Sequence, residues 1–185
     1  MLDTLSRNIV VCQGELAVSG DPDVMLSAIL GSCIATCLWD PKAQIGGMNH
    51  ILLPGRGTGN RQENKYGVFA MEALINELMQ NGARKSNLTA KVFGGARTFE
   101  NGLRIGDANA AFVRQFLEVE GIPIEAESTG GTQARRVRFF PQTGRAKQML
   151  TSEEIQPTLP PKKALVPSAA KVATPAESSG EVELF

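Results

Sequence analysis

Histidine is almost missing: His50 is the only one in 185 residues, so any imidazole chemistry must use it. Cysteine is scarce too, with only Cys12, Cys33 and Cys37. Three thiols are too few, and odd in number, for a disulfide framework. They lack paired ligand spacing, and one histidine cannot complete a zinc site, so no metal is expected. An excess of either charge is absent. Nineteen basic residues cancel nineteen acidic ones, which gives no reason to expect nucleic acid as a partner. No apolar run approaches the roughly 20 residues that span a bilayer, so the chain is not expected to insert into a membrane. The opening MLDTLSRNIVVCQG has no basic segment leading into a long apolar core, and no signal peptide is expected. These absences together predict a cytoplasmic protein with reduced thiols.

What is present is a core-building sequence, 42% hydrophobic and long enough for one domain. Its centre is residues 31–54, GSCIATCLWDPKAQIGGMNHILLP. Two apolar strands, Cys33 to Trp39 and Gln44 to Leu53, flank Asp40-Pro41-Lys42-Ala43, a good type I turn. A hairpin folded between Pro41 and Lys42 sets Trp39 opposite Gln44 and Cys33 opposite His50. Directly opposed side chains lie about 5 Å apart and share a face, so a thiol would meet an imidazole. A bulge at Gly46-Gly47 would shift that register by one residue. A thiolate beside an imidazole is a nucleophile beside a base. Spacing alone fits a buried strand cysteine and a hydrogen-bonded strand histidine better, since free Cys is among the most buried residue types. Gly31-Ser32-Cys33 sets the thiol where a turn enters a strand, which leaves the backbone N–H groups of Ser32 and Cys33 as candidate oxyanion donors.

Around the hairpin the pattern predicts strand over Asn8 to Val18, broken at Gly14, and a buried strand over Val24 to Leu30 that carries Ser27. Residues 55–64 form a glycine-rich polar loop, a candidate rim or lid, without phosphate-loop spacing. Helices are expected over Lys65 to Asn81 and Asp107 to Glu120, the second capped by Asp107 or Asn109. Strands are expected at Leu88 to Phe93, Ile122 to Ser128, Gln133 to Phe140 and Arg145 to Leu150, with Arg135, Arg136 and Arg138 forming a local basic face. From Gln156 onward the chain is rich in Pro, Ala, Ser and Lys and ends in EVELF, a composition that cannot build a core. The fold expected is α+β: a single domain of mixed, mostly antiparallel β-sheets with two main helices packed on one side. The folded domain is set at residues 8–152 and a disordered tail at 153–185.

LGSCIATCLWDP followed by GGMNHILLP resembles the CheD family of bacterial chemotaxis, the chemoreceptor glutamine deamidases. The likeness runs on through YGVFAMEALINELMQNGA, KVFGGARTF, IGDANAAFVRQFLEVEGIPI and ESTGGTQARRVRFFPQTG, in the family's order. The resemblance implies layered sheets with helices on one face, and hydrolysis of specific glutamine side chains on methyl-accepting receptors. It implies Cys33 as nucleophile, His50 as base and a hydroxyl residue six positions before the cysteine, here Ser27 where the family usually has Thr. Ser keeps the hydroxyl and loses the methyl that stiffens Thr. No cofactor is implied. The partners implied are chemoreceptors and a CheC-type phosphatase. A module that regulates either one by occupancy alone, without catalysis, is the alternative expectation.

Overall fold

The computed structural model describes residues 7–53, 61–97 and 104–151. The C-terminal tail from residue 153 and most of the expected glycine-rich loop lie outside the described residues.

Among the described residues, nine strands and two helices build three layers. One sheet is ordered β1-β3-β8-β9, from Arg7–Val10, Val24–Leu30, Ala134–Phe140 and Arg145–Thr151. The other is ordered β2-β5-β4-β6-β7, from Leu16–Ser19, Ile45–Ile51, Ile34–Asp40, Thr89–Gly94 and Ile124–Thr129. The pairs β1–β3 and β6–β7 are parallel and the rest antiparallel. Helices α1 (Arg61–Gln80) and α2 (Ile105–Val119) cover the outer face of the five-stranded sheet. Their core with that sheet includes Ile34, Leu38, Ile51, Leu74 and Leu117. A second core, with Leu26, Ala28, Ala35, Cys37, Met48, Val137 and Phe139, fills the space between the sheets. β4 is apolar along both faces because it is covered on both. The fold is α+β with helices on one side, as the pattern predicts.

Several local expectations change. The predicted strand over 8–18 is two strands in different sheets, and the chain crosses between layers at Val11 to Glu15 around Gly14, whose φ is +84°. Helix α1 starts at Arg61, so the last residues of the predicted loop are helical. Period-3.6 reading sets Tyr66, Phe69, Ala70, Ala73, Leu74 and Leu78 on one stripe of this helix; Ala70, Leu74 and Leu78 are buried, but Phe69 is half exposed and Met71 is fully buried in its stead. Gly82 and Gly121 end the two helices with the paired bonds of a Schellman cap, Ala83 N–H to Leu78 O and Ile122 N–H to Leu117 O. Asn109 is not a cap but lies inside α2 and is buried. Arg135 leaves the expected basic face. Alternation along β8 turns it inward with Val137 and Phe139, where it donates to the carbonyls of Ser128 and Gly130.

The central hairpin pairs Ala35 with His50 and Asp40 with Ile45, two residues away from the predicted register. Asp40 explains the slip. Its Oδ1 accepts from the N–H groups of Lys42 (2.9 Å) and Ala43 (3.1 Å), and its Oδ2 from Arg84 N–H (2.8 Å). This wraps a four-residue loop, closed by Gln44 at φ +54°. Burial alone would raise the Asp40 carboxyl, but the N–H donors outweigh it and hold its pKa below the ordinary value. Gly46 and Gly47 form no bulge and sit in the regular ladder. A Cβ on Gly46 would stand 2.6 Å from Pro141 O, and one on Gly47 2.7 Å from a Val18 methyl.

Candidate active site

The thiol sits at a crossing. β3 belongs to one sheet and β4 to the other, and Gly31-Ser32-Cys33 carries the chain between them. All three carbonyls of this turn are held: Gly31 O by Ala96 N–H (2.8 Å), Ser32 O by Asn109 Nδ2 (2.8 Å) and Cys33 O by Gly95 N–H (2.7 Å). Among the described residues no backbone acceptor is bonded to the N–H of Ser32 or Cys33. Asn109 also accepts from Leu53 N–H (3.1 Å), so one buried side chain from α2 ties the Cys33 turn to the chain leaving β5.

His50 faces Ala35, and Cys33 stands two residues before Ala35. A slip of two preserves the pleat, so Cys33 and His50 remain on one face, as diagonal rather than direct neighbours, roughly 7 Å apart at Cβ. The imidazole is set by the β1–β2 crossing. Gly14 N–H donates to His50 O (2.8 Å), His50 N–H donates to Glu15 O (3.0 Å), and Nδ1 lies 3.0 Å from Val11 O. A carbonyl only accepts, so Nδ1 carries the proton and Nε2 the lone pair. Nε2 is buried without a partner among the described residues. Burial lowers the His50 pKa, against the raising effect of the Val11 carbonyl and Glu15, so the ring is neutral at pH 7.

Burial also pushes the Cys33 thiol up to about 11, although its own N–H favours the thiolate. The resting pair is thus neutral thiol and neutral imidazole. Iodoacetamide labelling of Cys33, followed by peptide mapping, should therefore climb about tenfold per pH unit between pH 7 and 10, since only the thiolate reacts. A plateau below pH 8 would reveal a preformed thiolate–imidazolium pair instead.

Ser27 stands apart from this pair. Leu26, Ala28 and Leu30 face the inter-sheet core, so alternation turns Ser27 to the other face of β3. Its hydroxyl donates to Asn8 Oδ1 (2.8 Å). Two residues not singled out in the sequence do join the site. The Cys33 thiol donates to Gln13 Oε1 (3.6 Å). Tyr66, expected only as part of a core stripe, has its phenol pKa raised by burial and by the nearby Cys33. A cavity of about 30 Å³ beside His50 is lined by Gly14, Asn49, Tyr66 and Phe69 among others. The available signal for Gln13 was its place beside Gly14, where the strand pattern breaks. Arg97 is a surface residue paired with Asp107. Among the described residues no three His, Cys, Asp or Glu side chains gather as metal ligands would.

The family described as CheD chemotactic sensory transduction matches residues 52–149. A Caulobacter vibrioides protein is 46% identical over 95% of this chain and 91% of its own length. One from Rhizobium leguminosarum bv. trifolii is 47% identical over the full length of both. The chain belongs to the CheD family. Both relatives bear the name "Probable chemoreceptor glutamine deamidase CheD". Cys33 and His50 of this CheD chain precede the family match and fall within the full-length alignment. Among solved structures, the Bacillus licheniformis hypothetical protein YfiH is 16% identical over 63% of this chain and 51% of its own, with a TM-score of 0.41.

Proposed function

We propose that this protein hydrolyses the side-chain amides of specific glutamines on chemotaxis receptors, converting them to glutamates. The observation that carries this is the full-length identity with relatives named chemoreceptor glutamine deamidase. What supports it in the site is a thiol in a turn fixed by hydrogen bonds and a neutral imidazole with an unpartnered Nε2 on the same face.

The chemistry needs only the chain's own groups. His50 Nε2 takes the Cys33 proton as the sulfur lone pair adds to the amide carbon. The carbonyl π pair moves to oxygen, which accepts from the N–H groups of Ser32 and Cys33. The tetrahedral adduct collapses to a thioester as imidazolium gives its proton to the departing ammonia. Water then adds to the thioester with His50 as base, and glutamate leaves as the thiolate is reprotonated. Taking the first proton is uphill, because burial raises the thiol and lowers the imidazole. Ser27, bonded to Asn8, acts at a remove if it contributes.

A glutamine is a plain target, so selection falls to protein–protein contact around the cleft. Residues 8–152 would form the catalytic domain, acting in the cytoplasm, with a CheC-type phosphatase as second partner. Among the described residues no helix is long and apolar enough to cross a membrane. Incubating purified receptor cytoplasmic fragments with the protein should add about one dalton at defined glutamines, read by peptide mass spectrometry. Receptors bound tightly yet left unconverted would favour the occupancy module.

A further inference from the structure

We propose that Gln13 supplies a side-chain donor to the oxyanion in this site. The inference rests on the deamidase reading and adds a residue to it. Gln13 is half-buried, and its carboxamide is the group that meets the Cys33 sulfur, at 3.6 Å. A neutral thiol has a proton to give, so it donates to Oε1. A thiolate or a tetrahedral adduct has none, and a half-turn of the carboxamide presents Nε2–H in the same place. The oxyanion forms on the carbon bonded to Sγ, within reach of a donor that already touches Sγ.

The support behind Gln13 matches that task. A useful oxyanion donor stands on backbone held in place before reaction, so that here only the terminal carboxamide has to turn. The Val11 to Glu15 crossing is bonded on both sides of Gln13: Val11 N–H to Ser27 O (2.8 Å), Glu15 N–H to Cys12 O (2.9 Å), and Cys12 N–H to the Glu15 carboxylate (3.0 Å). The same segment holds His50 through Val11 O, Gly14 N–H and Glu15 O. One short loop therefore carries the side-chain donor and braces the base on β5, facing a thiol whose turn is fixed by Asn109 and Gly95. The site would hold the oxyanion with the N–H of Cys33 from one side and the Gln13 carboxamide from the other.

Gln13→Met keeps the length of the side chain and removes the donor. Gln13→Glu keeps its shape and replaces the donor with an anion. Using the full-length protein and a receptor cytoplasmic fragment, kcat for Gln13→Met should fall about 10²- to 10³-fold, the usual cost of one oxyanion donor, with KM within threefold. Gln13→Glu should lose at least as much, and should also move the pH curve for iodoacetamide labelling of Cys33 to higher pH, since the carboxylate opposes the thiolate. A change that only loosened the fold would lower the melting temperature without moving that curve. A Gln13→Met kcat within threefold of wild type overturns the proposal. So does a peptide map showing glutamate at position 13 in wild type but not in Cys33→Ala, because Gln13 would then be a substrate rather than a donor. If wild type converts no receptor glutamine, the deamidase reading fails, and the labelling curve still decides whether Gln13 governs the thiol: an unmoved curve in Gln13→Glu overturns that as well.

Discussion

Cys33→Ala should end receptor deamidation, leaving less than about one part in 10⁴ of the wild-type rate. No other group in the site can form the thioester. Cys37 is fully buried with its thiol raised further still by burial, and Cys12 is exposed, with its thiol raised by burial and by Glu15. The fold should survive, since removing one small thiol costs on the order of 1 kcal/mol. Receptor binding should survive as well, and that separates enzyme from binding module. His50→Ala should lose about 10²- to 10⁴-fold, because the thiol held at about 11 is protonated at neutral pH and no second imidazole exists. Ser27→Ala should cost less than either, with its hydroxyl committed to Asn8. The mass shift at receptor glutamines reads all three. A Cys33→Ala protein that converts them at the wild-type rate would sink the enzyme reading. Equal binding by both proteins with conversion by neither would move the ground to regulation by occupancy.

Gly94→Ala should be the most damaging single methyl near the site. Gly94 has φ +116°, a region that side chains rarely adopt, and its Cβ would run into the Cys33 carbonyl oxygen. That oxygen cannot retreat, because Gly95 N–H holds it at 2.7 Å. Gly94 O is in turn held by Gly130 N–H (3.0 Å), so the strain spreads into the β7–β8 turn. A loss on the order of 4 kcal/mol is expected, and with it a melting temperature lower by about 10 °C. Gly31→Ala is the control. It lies in the same turn as the thiol, a Cβ there meets nothing within 4 Å, and it should melt within a few degrees of wild type. Equal melting of the two variants would show that the close approach at Gly94 carries no constraint.

The two helices, the hairpin and the α+β class could be read from local patterns, because hydrophobic period and turn residues act over a few positions. The unique histidine and the turn-to-strand cysteine pointed to the same pair for the same reason. Tertiary structure decided the rest. Asp40 chose the hairpin register by accepting N–H groups from its own turn and from Arg84, far along the chain. The pair kept a common face only because the slip was even. Asn109 reads locally as a helix cap, yet it clamps Ser32 and Leu53 because α2 packs over the sheet there. Ser27 lies six residues before the cysteine in sequence and on the other face of its strand in space. Gln13 came to the thiol by way of a sheet crossing that no periodicity signals. A strand's period determines which residues share its face, but which strand neighbours which depends on pairing between distant segments, settled only when both cores close.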